Sequence, residues 1–284
     1  MKSNRVLVLG ATGFIGKKLV IKLKEHYPKT ELIAFNGESD ISNKSIIQKI
    51  ISLHPEIIVI AAGKTFVPDS WKTPVDFYNV NTIGALNIAE AARMSKSKIV
   101  FLSTFVYGEP YRLPIKETNA VRPFNPYASS KFLAEQTFKD YFRFFGVETN
   151  VLRVFNVYGQ DQNSDFLIPT LIRQYNEGKQ IQVKDLKPKR DYIHVDDLVD
   201  AIIAAMSSFN GYEVYNAASG KSFSVSDLIE LIFKLGLKKI PVFSEEQTRS
   251  NEVMDTRADI SKIQSKLNWS PRITIEKGLL ELLH

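Results

Sequence analysis

The chain has 284 residues, 44% hydrophobic and 24% charged, with a formal net charge of +6, a balance that fits one large globular domain or a main domain with a smaller lobe. It has no cysteine, which excludes disulfides and thiolate chemistry, and no run of about 18 apolar residues, so no membrane span is expected. The positive charge suits an anionic partner. The one dense basic stretch, Lys184, Lys187, Lys189 and Arg190, is broken by Pro188 and reads equally as a solvated loop or a phosphate contact, and no nucleic-acid partner is expected.

The first predicted element is an apolar, β-branched run at 6–9, a buried strand. It ends in Gly10-Ala11-Thr12-Gly13-Phe14-Ile15-Gly16 and leads into an amphipathic helix over 14–26. Strand, glycine turn and helix N-terminus together place a pyrophosphate on unpaired backbone N–H groups. The spacing is G-x-x-G-x-x-G rather than the G-x-G-x-x-G of the general dinucleotide fingerprint. The strand begins almost at once, so no secretory leader is expected and a cytoplasmic location is the default. Further strands are predicted at 32–35, 57–60, 99–102 and 149–154, with helices near 43–53, 81–94 and 127–145. This alternation predicts an α/β fold with a doubly wound parallel sheet. After Gly159 the alternation weakens. Strands return at 191–195 and 213–216 around a helix over 196–208, and small helices with one strand near 240–242 complete the chain. The expected organisation is a dinucleotide-binding domain over 1–162, with residues about 190–216 returning to its sheet, and a smaller, discontinuous lobe over 163–284.

Two patterns carry chemistry. Ser103-Thr104 ends a strand, and the carboxyl ends of strands in such a sheet face the ligand crevice. Tyr127 and Lys131, four apart, share a helix face, and a lysine cation there is expected to lower the phenol pKa so that Tyr127 exchanges a proton with a substrate oxygen. Such a pairing arises about once by chance in a chain of this composition. A second, Tyr175 with Lys179, is read as a coincidence because Gly178 disfavours a helix through it. The first is supported by Pro126, which suits an opening helical turn, and by the serine motif one strand earlier. His26, His54, His194 and His284 are scattered, so no metal site is expected, and His194 is read as structural.

Together these motifs resemble the extended short-chain dehydrogenase/reductase family, in its NAD-dependent epimerase/dehydratase branch, over nearly the whole chain. The resemblance implies a Rossmann-type domain binding NAD(H) or NADP(H) and a lobe binding a nucleotide-diphosphate sugar. It assigns the glycine turn (Gly10, Thr12, Gly13, Phe14, Ile15, Gly16), Asn36, Asp40-Ile41 beside the adenine, Ala61-Ala62-Gly63 and Asn81 to the cofactor. Ser103, Tyr127 and Lys131 match its catalytic triad, with Tyr127 and Lys131 also touching the cofactor. Thr104, Asn156, Arg190 and Arg249 fall at substrate positions, Arg249 at the one that holds the diphosphate. A homodimer through helices near 81–94 and 127–145 is implied in the same way. Asn36 stands where NAD-specific members often carry an acid, which leaves NAD or NADP open. The short link after the second strand is similar to that of 4-keto-sugar reductases. Dehydratases place an aspartate and a glutamate after the catalytic hydroxyl, and Thr104 and Phe105 occupy those positions here. The expected reaction is reduction of a 4-keto(-6-deoxy) sugar nucleotide, with C4 epimerisation of a UDP-sugar as the alternative and a non-catalytic NAD(P) sensor as a distant one.

Overall fold

The structure, a computed structural model, describes residues 5–35, 40–247 and 252–283. The first half runs β1 (Arg5–Leu9), α1 (Phe14–His26), β2 (Glu31–Phe35), α2 (Ser45–Leu53), β3 (Ile57–Ile60), α3 (Val67–Lys72), α4 (Pro74–Phe77), a π-helical turn (Tyr78–Ile83), α5 (Gly84–Ser95), β4 (Lys98–Thr104), α6 (Pro126–Phe145) and β5 (Thr149–Val154). The second half continues with β6 (Asn156–Tyr158), α7 (Leu167–Glu177), β7 (Ile181–Val183), β8 (Lys189–His194), α8 (Val195–Ser207), β9 (Tyr212–Ala217), β10 (Ser222–Ser224), α9 (Val225–Leu235), β11 (Val242–Ser244), α10 (Ser261–Leu267) and α11 (Ile275–Leu283).

The main sheet has the order β2-β1-β3-β4-β5-β9, and every pairing in it is parallel. Its central strands read as unbroken apolar runs because both faces are covered. One face packs on α1 and α8 through Leu19, Leu23, Leu198 and Ile202. The other packs on α2, α5 and α6 through Ile46, Ile50, Ile88, Ala134 and Phe138. The chain leaves β1 in one direction for β2 and in the other for β3, so a topological switch point opens between the carboxyl ends of β1 and β3.

The expected return to the sheet is made by β9, whose Tyr212–Ala217 pairs with β5 from Thr149 to Val154. Lys189–His194 does not join it. With the outer edge of β5 already taken, β8 pairs with β6 and β10 in a separate three-stranded sheet. β7 and β11 form a small parallel pair. The tyrosine set aside as a coincidence, Tyr175, lies in the core of α7, α9 and α11. Its phenol donates to the Gly236 carbonyl at 2.7 Å, and α7 stops at Gly178, whose φ is +72°.

Candidate active site

The glycine turn sits at the mouth of the switch point. Gly10 has φ +83°, and a Cβ there would lie 2.6 Å from the Ala62 nitrogen, so the loops after β1 and β3 touch backbone to backbone. Ala61 and Ala62 thus wall the turn. A Cβ on Gly16 would lie 2.0 Å from the Gly10 carbonyl oxygen. Gly13 differs: its φ is ordinary, at −74°, and a Cβ would meet nothing nearer than that oxygen at 3.4 Å. Gly13 and Thr12 are exposed, and no side chain caps α1 and no acid stands in its first turn. The first N–H groups of α1 therefore have no side-chain cap among the described residues and stand at the positive end of a helix, the environment a pyrophosphate needs. Phe14 and Ile15 are half-buried at its start.

Asp40 is exposed and bends onto Ser42, accepting from its backbone N–H and its hydroxyl at 2.9 and 2.7 Å. Ile41 is buried against α5, where a Cβ on Gly84 would meet it at 2.7 Å. Asn36 and Arg249 lie outside the described residues. Asn81 falls in the π-helical turn, a local widening often found at functional sites. Its Oδ1 accepts from the Lys64 backbone N–H, and its Nδ2 donates to the Lys64 carbonyl and the Ser130 hydroxyl. Asn81 thereby ties the loop after β3 to α6. The Lys131 amine reaches this loop, 3.7 Å from where a Gly63 Cβ would stand.

α6 begins where Asn125 and Pro126 predict. The Asn125 side chain accepts from the Ala128 N–H at 2.8 Å, and Pro126 takes the first turn. This places Tyr127 in that turn, its ring edge-on to Phe77 at 6.3 Å. The Thr104 side chain faces the Tyr127 hydroxyl and acts to lower its pKa, while burial raises it more, so the phenol lies above its ordinary range. The expected lowering by Lys131 is not present. The lysine amine sits over the Phe101 ring at 4.2 Å, and burial lowers its own pKa to about 7 against the raising influence of Glu135.

Ser103 and Thr104 part company. Neighbours on a strand point to opposite faces, and only the Thr104 hydroxyl meets Tyr127. Ser103 is buried and donates to Glu135 Oε1 at 2.5 Å, behind the face expected of it. Phe105 packs edge-to-face on Tyr107, Phe124 and Phe155.

On the substrate side, Asn156 is half-buried at the start of β6. The Arg190 guanidinium is engaged: it pairs with Glu252 and donates to the Val253 carbonyl at 2.6 Å. Residues 252–259 form a strap along this side, held by the bridges Ile115–Ala258 and Lys189–Asp255. The expected set is therefore brought together at Gly13, Gly63, Asn81, Thr104, Tyr127 and Lys131, while Ser103 turns inward.

Four buried polar residues were missed by sequence reasoning. Asp191 accepts from the Ser219 and Gly220 backbones, the Ser219 hydroxyl and the Ala258 N–H. Asn216 links Tyr107, Ile115 and Asp259. Arg153 pairs with Glu135. A signal did exist for the pair: Arg153 interrupts an apolar strand run, and Glu135 lies one helical turn beyond Lys131. His194 is the N-cap of α8, accepting from the Asp196 N–H at 3.3 Å. Among the described residues no metal-binding group of His, Asp or Glu is assembled, and no helix is long and apolar enough to cross a membrane.

Comparison with known proteins finds relatives over nearly the whole chain. The GDP-6-deoxy-D-talose 4-dehydrogenase of Aggregatibacter actinomycetemcomitans is 30% identical, covering 99% of this chain and 97% of its own. The crystal structure of the Thermotoga maritima UDP-glucose 4-epimerase with UDP-glucose matches with a TM-score of 0.91 at 29% identity, over 98% of this chain and 97% of that one. The Pseudomonas aeruginosa protein RMD, complexed with NADPH, matches with a TM-score of 0.90 at 26% identity, over 99% and 98%. The model of the NAD dependent epimerase/dehydratase family matches residues 6–218, a span that contains the glycine turn, the Asn81 clamp and the Thr104–Tyr127–Lys131 cluster. The chain therefore belongs to the NAD dependent epimerase/dehydratase family, in the extended short-chain dehydrogenase/reductase branch that its sequence resembles.

Proposed function

We propose that this protein is a nicotinamide-dependent nucleotide-sugar oxidoreductase that reduces the C4 ketone of a 4-keto-6-deoxy sugar nucleotide. The observation that carries the reading is the Thr104–Tyr127 hydroxyl pair, with Lys131 one turn along the same helix, beside an open anion cradle at Gly13. NAD(H) or NADP(H), supported by the family and by the NADPH of the Pseudomonas relative, supplies the hydride when bound. Tyr127 gives its proton to the C4 oxygen and Thr104 hydrogen-bonds that oxygen, the role the sequence assigned to Ser103. Lys131, whose amine reaches the Gly63 loop, holds the ribose. Gly10, Gly13 and Gly16 admit the pyrophosphate, and Ala61, Ala62 and Asn81 wall the site.

Burial raises the Tyr127 pKa, so the phenol carries the proton that a donor gives to the C4 oxygen. Phe105 and Val106 follow Thr104, and neither can act as acid or base, so dehydration has no support. A 4-dehydrogenase of a GDP-6-deoxyhexose, such as the Aggregatibacter relative, runs the same C4 redox step in the opposite direction. Asn156, Arg190 and Arg249 are assigned to the nucleotide sugar, and α5 and α6 to a homodimer interface. The second reading, a UDP-sugar C4 epimerase, is favoured by the likeness to the Thermotoga epimerase.

Denaturing freshly purified protein and identifying the released nucleotide separates the two. Little bound nucleotide, with NADPH oxidised on adding GDP-4-keto-6-deoxymannose, is the expected result. Near-stoichiometric NAD⁺ with interconversion of UDP-glucose and UDP-galactose would replace it by the epimerase. Tyr127→Phe is expected to lower turnover by about 10²–10⁴-fold with the fold intact, and a variant that keeps more than a few per cent would remove Tyr127 from the chemistry.

A further inference from the structure

Behind the Thr104–Tyr127–Lys131 cluster lies a buried charge pair that the proposed chemistry does not use. Glu135 is 0% exposed and Arg153 5%. Arg153 Nη2 lies 2.7 Å from Oε2, and its Nε donates to Oε1 and Oε2 at 3.1 and 3.2 Å. Ser103 Oγ completes the clamp at 2.5 Å. Arg153 also stacks over the Tyr107 ring at 4.9 Å and donates to the Glu117 carbonyl at 3.3 Å. As stability alone the pair achieves little, because desolvating two charges offsets most of their attraction.

Its position suggests another use. Glu135 is one turn from Lys131 on α6 and is bonded to the residue next to Thr104 on β4. The Ser103–Glu135 bond therefore fixes where the end of β4 lies against α6, and with it where the Thr104 hydroxyl meets Tyr127. Lys131 is removed from water over an aromatic ring, and a cation so placed needs a nearby anion to remain charged. Besides Lys131 on its own helix, the groups facing Glu135 are Ser103 from β4, Arg153 from β5, Tyr107 from the loop after β4, and Tyr212 from β9, whose hydroxyl donates to the Glu135 carbonyl at 3.1 Å. The Glu117 carboxylate lies further out, accepting from the Asn216 backbone N–H at 2.8 Å.

We propose that Glu135 is a positioning residue: clamped by Ser103 and Arg153, its carboxylate holds the end of β4 in register with α6 and sets a fixed negative charge one turn from Lys131, so that the reacting groups are assembled before substrate arrives. The proposal rests on the reading of Tyr127 and Lys131 given above, but its deciding measurement needs neither cofactor nor substrate. The titration of Lys131 is followed by NMR in cofactor-free protein carrying ¹³Cε-labelled lysine, its resonance assigned with Lys131→Met. The wild-type midpoint is expected at about 7. Glu135→Gln, which keeps shape and removes charge, is expected to lower it by about one unit or more, and Glu135→Asp to restore most of it.

Ser103→Ala leaves the charge in place, so it should not move the Lys131 titration. It is expected to lower kcat for NADPH-dependent reduction of GDP-4-keto-6-deoxymannose by less than about tenfold at unchanged KM. An unmoved Lys131 midpoint in Glu135→Gln overturns the proposal. So does Ser103→Ala that is wild-type in kcat, or that loses about a hundredfold or more, which would place Ser103 at the substrate. If Glu135→Gln does not fold, Glu135→Asp and Ser103→Ala decide: an Asp variant whose midpoint falls as far as an uncharged site predicts overturns it. A fully active Tyr127→Phe would sink the functional reading and leave the titration result standing.

Discussion

Gly13 and Gly16 stand three residues apart on one turn, yet different neighbours require each to be small. At Gly16 the neighbour is protein, since a Cβ would lie 2.0 Å from the Gly10 carbonyl oxygen. Gly16→Ala is therefore expected to destabilise the fold by about 1–3 kcal/mol, read as a lower denaturant midpoint. At Gly13 nothing in the protein stands in the way, so Gly13→Ala should leave stability within about 0.5 kcal/mol. It should weaken NAD(P)H binding by about tenfold or more, because the added methyl occupies the space the pyrophosphate approaches. Equal losses of stability in the two variants would refute the distinction. The hydroxyl pair divides in a similar way. Thr104→Val should cost on the order of a hundredfold in kcat, against less than about tenfold for Ser103→Ala. The sequence could not assign these two. A strand alternates faces at every residue, so a slip of one position exchanges which hydroxyl enters the crevice and which is buried. The four-residue spacing keeps Tyr127 and Lys131 on one helix face whatever the helix's rotation, but Pro126 and the serine motif one strand earlier are what set this pair apart from Tyr175 and Lys179.

At the scale of elements, the glycine turn, the strand–helix alternation and the start of α6 were all written in local pattern. The partners of β8 were not. Its apolar residues fit any sheet, and the edge it pairs with depends on β9 having taken β5. What secures the alternative arrangement is Asp191, in β8, whose carboxylate gathers the β9–β10 turn and the strap at Ala258. No periodicity announces such a residue, because its partners are backbone groups from distant segments. Asp191→Asn replaces one acceptor oxygen by a donor facing two N–H groups, and is expected to destabilise the protein by about 2–4 kcal/mol. The pH dependence has a definite sign. Burial raises the folded-state pKa of Asp191 from 3.8 to about 6. Between those values the folded chain holds a proton that the unfolded chain has lost, so this group's contribution to stability falls as pH rises through the window. The stability advantage of wild type over Asp191→Asn should thus be larger near the lower end of the window than at neutral pH. A constant difference in melting temperature across it would remove Asp191 as the cause.

For the whole molecule, the two faces of the main sheet are fully covered by helices, and the next surface to account for is the outer side of α5 and α6. How the rings of α6 divide between core and surface depends on the rotation of the helix against the sheet. The structure buries Phe138 at 0% and leaves Phe145 55% and Phe144 62% exposed, with Leu133 at 42% and, on α5, Leu86 at 41% and Met94 at 48%. The two helices are joined laterally by the Tyr141–Glu90 hydrogen bond at 3.3 Å and by Arg93 over the Phe145 ring at 5.4 Å, so these side chains share one surface. Apolar area gathered in this way is costly to leave in water, which makes it the surface to test for self-association. The homodimer read from the sequence would bury it against its own copy, with the same patch on both protomers. Sedimentation equilibrium is expected to give a dimer whose melting temperature rises with protein concentration. Leu133→Glu with Phe145→Glu places charge in that patch without touching the sheet core, and should yield a folded monomer. A wild type that stays monomeric at every concentration, with a melting temperature independent of dilution, would leave the aromatic side of α6 without a self-association role.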